Sequence, residues 1–130
     1  MFSFLFKYLD YFQKSSFGEW IVDTKHKGTR DDPKDFPYVS YDDIVLQFIE
    51  EINEFASNND MTDYHSVQGL SLDSDLTDEQ LFYKLLEIVR IERFCDGLLL
   101  SKLENGTIVN IIKRIKQKYD LLLGDKNYEK

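Results

Sequence analysis

Three stretches of this chain place their apolar residues at helical spacing, and short polar links separate them. Ile44, Val45, Phe48, Ile49, Ile52 and Phe55 form one stripe. Leu81, Leu85, Ile88, Val89, Leu99 and Leu103 form a second, and Ile108, Ile111, Ile112, Ile115, Tyr119 and Leu122 a third. Each stripe must be buried against another element, and short connections make sequential helices neighbours. The expected fold is therefore mainly α: a compact antiparallel bundle of four to five helices in one domain over residues 1–130. Residues 17–39 form a hairpin and loop insertion, and 124–130 a flexible tail.

Local signals set the element boundaries. Phe2 to Gln13 is apolar almost all round, which predicts a short helix that is buried or used in a contact. That helix is a candidate homodimer surface. Trp20-Ile21-Val22 and Phe36-Pro37-Tyr38-Val39 read as two short strands around a polar loop, with Pro37 confining the second to an edge. Ser40 is placed to cap a helix running to about Ala56, and Thr77 with Gln80 has the capping-box pattern. From Asp78 one long helix is expected to run to about Glu104, bent near Gly97. A last helix runs from Ile108 to about Leu123.

Charge narrows the function classes. The net charge is −8, and Tyr41 to Gln80 holds eleven carboxylates with no Lys or Arg. Such a surface opposes nucleic acid, which demands the opposite sign. It suits either solvation and pairing with the basic last helix, or a protein partner docking on the 41–80 region. No apolar run approaches the ~20 residues that span a bilayer, so no membrane role is expected. The greasy first residues carry Lys7 and Asp10 and lack a cleavage site, unlike a signal peptide. Cys95 is the only cysteine, which fits a reducing, cytoplasmic setting.

The sharpest local feature is Glu92 and Asp96, one turn apart on the apolar arc of the expected long helix, with Arg93 on its flank. Buried carboxylates need partners. Three readings stay open: an ion-pair and hydrogen-bond network, a ligand or catalytic site using Glu92, Asp96 and Arg93, or a divalent cation. Glu50-Glu51-Ile52-Asn53-Glu54 is the E-E-x-x-E pattern that all-α nucleotide pyrophosphatases combine with E-x-x-D to hold Mg²⁺. Here Glu92 to Asp96 is one residue too long for the second half. Glu50 and Glu54 also lie opposite the apolar stripe. No metal and no cofactor is therefore assigned. Cys95 falls on the core side, His26 and His65 are each alone, and no glycine-rich phosphate loop is present, so nucleophilic catalysis has little support. The basic loop Thr24 to Arg30 is read as solvated.

Two segments carry a resemblance: Phe17-Gly-Glu-Trp-Ile-Val-Asp23 and Arg90-Ile-Glu-Arg-Phe-Cys-Asp-Gly97. With these, nearly the whole chain resembles a family of small bacterial proteins, mainly Gram-positive, of unknown function. The resemblance implies a cytosolic bacterial origin and supplies no activity, so it carries over no catalytic residue. It suggests that the Trp20 and Glu92–Asp96 segments belong to one structure, with the Trp20 hairpin expected to pack over the Arg93/Asp96 region; Trp20, read first as a core or hairpin anchor, stands beside Glu92, Arg93 and Asp96 as a ligand-binding candidate. The function expected is an acidic protein-interaction module of a regulatory or toxin-neutralising kind. The alternative is a small ligand- or Mg-binding enzyme.

Overall fold

Thr77 and Gln80 open the central helix as their spacing predicts. The Thr77 hydroxyl accepts the Gln80 N–H at 3.1 Å, and the Gln80 side chain accepts the Thr77 N–H at 2.9 Å. In the computed structural model, which describes residues 1–14 and 16–128 and side chains as far as Leu122, this helix packs against the second and fifth of five α-helices. The helices are α1 (Tyr8–Tyr11), α2 (Asp43–Asn58), α3 (Asp78–Ile91), α4 (Leu98–Glu104) and α5 (Thr107–Tyr128). A hairpin of β1 (Gly18–Ile21) and β2 (Tyr38–Tyr41) completes the mainly α fold. Among the described residues no helix is long and apolar enough to cross a membrane.

The predicted stripes form the core as far as Ile115, while Tyr119 and Leu122, expected on the third stripe, are exposed because α5 has run past the elements it packs on. Val45, Phe48 and Ile52 of α2 meet Leu81, Phe82 and Leu85 of α3 and Ile108, Ile111 and Ile112 of α5, all essentially without solvent exposure. At about 25 cal/mol per Å² of apolar surface, these side chains dominate the driving force for folding. Helix α5 continues past Leu123 to Tyr128, through part of the expected tail; residues 129 and 130 lie outside the described residues.

Three boundaries differ from expectation, each because tertiary contacts override local propensity. The first segment is not one helix. It is a 3-10 turn, Ser3–Leu5, followed by α1. The break turns Phe2, Leu5, Tyr8 and Phe12 inward, while Phe4 and Phe6 rest on Phe55 and Tyr119 at ring distances of 4.8 and 5.3 Å. Ser40 does not cap α2 either. It sits in β2, and Asp42 takes the cap position with its carboxylate on the Lys14 ammonium at 2.6 Å. With that boundary the strands move by about two residues, pairing Gly18 with Tyr41 and Trp20 with Val39. That register puts Trp20, Val39 and Tyr41 on the face toward the helices.

The third difference is the largest. The expected helix from Asp78 to Glu104 is broken: α3 stops at Ile91, Glu92 to Gly97 form a turn, and α4 begins at Leu98. The Ile91 carbonyl accepts the N–H groups of Phe94 and Cys95 at 2.8 and 3.0 Å, and Gly97 takes a positive φ of 95°.

Candidate functional site

The turn between α3 and α4 gathers the residues singled out in the sequence and gives them separate roles. Glu92 is partly buried and both of its oxygens are occupied. Oε1 accepts the Leu99 N–H at 2.8 Å. Oε2 accepts the Gly97 N–H at 3.1 Å and the Tyr41 hydroxyl at 2.9 Å. Tyr41 in turn accepts the Leu100 N–H at 3.1 Å. The first N–H groups of a helix have no partner within it. Glu92 and Tyr41 supply those partners for α4, and a carboxylate there also suits the positive end of the helix. Burial, followed by the Glu92 carboxylate to which it donates, raises the Tyr41 hydroxyl well above the ordinary phenol range.

Asp96 and Arg93 do not join Glu92. Both are exposed, and no side-chain hydrogen bond or ion pair joins the three among the described residues. The buried carboxylate pair is thus one capping glutamate and one solvated aspartate. Cys95 is exposed and not on the core side, because the helix that would have turned it inward has ended. Phe94 projects into solvent with 89% of its surface accessible.

Trp20 packs on this turn, as the joint pattern of the two segments suggests, with its contact at Gly97. A Cβ added to Gly97 would lie 2.4 Å from Trp20 Cζ2. Glycine is needed there twice over, for the positive φ and for the space the indole fills. Trp20 stays 46% exposed, so its other side faces solvent.

A second cluster lies in the hairpin loop, where His26 meets Asp23 rather than the Glu92 or Asp96 carboxylate. Asp23, His26 and Asp35 bring ligand-type atoms within 4.8 Å of one another. The Asp23 side chain is already saturated. Oδ1 accepts the N–H groups of Lys25 and His26 at 2.9 and 3.1 Å. Oδ2 accepts the Asp35 N–H at 2.8 Å and meets His26 Nδ1 at 2.6 Å. A metal at Asp23 would have to displace these bonds, so the cluster is a staple that joins the two ends of the loop. The spacing Asp23-x-Lys25-His26 was the available signal, an aspartate folding back on the next two amides. The Asp35 N–H, then the neighbouring amides and His26, hold the Asp23 carboxyl well below the usual carboxylate range. A depressed folded value adds stability that is complete above the unfolded value of about 3.9 and is lost as pH falls through the folded one. Amide exchange at His26 and Asp35 is therefore expected to stay slow from neutral pH to about pH 4 and to accelerate in Asp23→Ala. Unchanged exchange in that variant would rule out the staple.

The acidic region divides. On α2, Asp43, Glu50 and Glu54 fall within about 40° of one another at 100° per residue and form one exposed line about 16 Å long. None has an ion-pair partner among the described residues. Asp42, Glu51 and Asp75 are paired with Lys14, Lys7 and Lys118. Among the described residues, the basic side chains of α5 make no ion pair with the α2 line. Arg114 donates to the carbonyls of Leu72 and Ser74, and Lys116 pairs with Asp120. The remaining acids lie on the 60–79 connection and the start of α3. Glu50 and Glu54 of the E-E-x-x-E pattern face solvent, whereas Glu51 is partly buried against Lys7.

No curated protein and no solved structure matches this chain. A family model does, and it runs through both the Trp20 hairpin and the Glu92 turn. Because that match spans residues 2–120, the chain belongs to the family of unknown function DUF6508.

Proposed function

We propose that this protein is an interaction module that docks a basic segment of another protein on the exposed face of α2. The observation that carries the proposal is the line of Asp43, Glu50 and Glu54, which has no ion pair among the described residues, on a helix otherwise well anchored in the core. Three like charges on one face repel each other, and an approaching cationic segment relieves that repulsion. Leu46, half exposed beside the line, adds an apolar contact. A regulatory or toxin-neutralising role fits such a surface, because the electrostatic term speeds encounter and selects for partner charge. The enzymatic alternative draws no support from the turn, since Glu92 would have to surrender three hydrogen bonds to reach a substrate.

The test uses a labelled alanine-rich peptide with Lys or Arg at every fourth position. Reversing Asp43, Glu50 and Glu54 to Lys is expected to weaken its binding at least about tenfold at low salt, an effect that shrinks as salt screens the charges. A control reverses Asp63, Asp73 and Glu79, giving the same net charge, and is expected to bind within about threefold of the natural protein. Equal losses in the two variants would reduce the effect to net charge and remove the docking face.

A further inference from the structure

The exposed side of Trp20 is one wall of an open groove of about 460 Å³, completed by Gly97, Leu100, Ser101, Glu104 and Asn105. Its size falls in the range of small-molecule sites. Its chemistry is one-sided. The indole offers a π surface, the richest in the chain for a cation. Glu104 offers an exposed carboxylate that has no ion-pair partner among the described residues. Ser101 offers a hydroxyl, and the groove follows α4 to its carbonyl end, where the helix dipole is negative. None of the six lining residues is a cation. The Asn105 side-chain oxygen is committed to Thr107, accepting its N–H at 3.0 Å and its hydroxyl at 2.6 Å.

Glu104, the one charged residue of the lining, favours a positive guest, and the bare Gly97 backbone holds the indole in place to receive it. We infer that this groove is an anchor site for one guanidinium or ammonium side chain of a basic partner. The planar guanidinium of arginine suits it best, because it can stack on Trp20 while pairing with Glu104. The inference rests on the proposed docking function and adds to it a specific pocket. The line on α2 supplies attraction at a distance. The groove supplies a contact that distinguishes a correctly placed arginine from general positive charge. Tyr41 connects the two regions, since it precedes α2 in the chain and is bonded to Glu92 beside Gly97.

Trp20 is the only tryptophan of the chain, so its fluorescence reports on the groove directly. The probe is N-acetylargininamide, and its neutral isostere N-acetylcitrullinamide is the control. The arginine probe is expected to give a saturable change at concentrations at least about tenfold lower than citrulline. Glu104→Gln keeps the size of an exposed side chain that makes no structural bond. It is expected to leave the melting temperature unchanged while weakening the arginine probe at least about fivefold, and to weaken the basic peptide as well. Equal responses to arginine and citrulline, or an arginine response unmoved by Glu104→Gln, would overturn the inference. The α2 charge-reversed protein separates this from failure of the docking reading. The amide touches the groove alone, so its response persists there even when the peptide is lost. If the peptide instead still binds the natural protein and Glu104→Gln equally while the amide does not bind, the groove is excluded and the α2 face stands.

Discussion

Glu92→Ala is expected to destabilise the protein by about 3 kcal/mol and to lower its melting temperature by about 10 °C. The carboxylate accepts from two backbone amides and one hydroxyl, and alanine leaves these donors facing a partly buried gap. Hydrogen bonds to a charged acceptor contribute more than neutral ones, and unpaired buried donors cost the full desolvation. Glu92→Gln keeps an oxygen in place but loses the charge, so about half of that loss is expected. Asp96→Asn, by contrast, changes an exposed group without partners and is expected to stay within about 0.5 kcal/mol of the natural protein. Denaturant unfolding of the three variants measures this order. An Asp96 effect as large as that of Glu92 would contradict the assignment of Glu92 as the cap of α4.

Gly97→Ala is expected to cost about as much, at roughly 3 kcal/mol, from two separable sources. One is the backbone. A φ of 95° is strained for any residue with a Cβ. The other is the indole, because the new methyl would sit 2.4 Å from Trp20 Cζ2 and drive the ring off the turn. Gly106 isolates the first source. Its φ is 83°, but nothing lies within 4 Å of an added Cβ. Gly106→Ala is therefore expected to lose only about 1 kcal/mol. Adding Trp20→Leu to Gly97→Ala should recover the steric share and leave the backbone share, the non-additivity expected of residues in contact. Tryptophan emission of Gly97→Ala is expected to shift to longer wavelength as the ring enters water. Equal costs at Gly97 and Gly106 would mean that Trp20 does not pack on the turn as described.

The parts of this fold that were legible in the sequence depend on residues close together in the chain. The α2 and α5 stripes, the Thr77–Gln80 capping box and the hairpin all rest on spacings of a few positions. The break at Glu92 was not legible for a definite reason. Leu85, Ile88, Leu99 and Leu103 share one side at 100° per residue, so periodicity carries a helix straight through the turn. What favours the break is a set of long-range contacts: Tyr41, fifty-one positions away, and Trp20 on the same hairpin face. Sequence phase therefore placed Glu92 and Asp96 together in the core, whereas the turn separates them and brings Cys95 out. The joint pattern of the Trp20 and Glu92 segments was informative about their contact and silent about its chemistry. The α2 line was visible as an uncompensated run of acids. Which of those acids lack partners required the positions of Lys7, Lys14, Arg114 and Lys118.

The structural role of Glu92 and the proposed docking role of Asp43, Glu50 and Glu54 thus fall to different carboxylates. Parallel titration of the basic peptide into Glu92→Gln and into the α2 charge-reversed protein, at a temperature where both are folded, tests this division directly. Glu92→Gln is expected to be the less stable of the two and to bind within about twofold of the natural protein. The α2 variant is expected to keep its stability and lose at least about tenfold in affinity. Loss of binding in Glu92→Gln with retention in the α2 variant would contradict the division and return function to the turn.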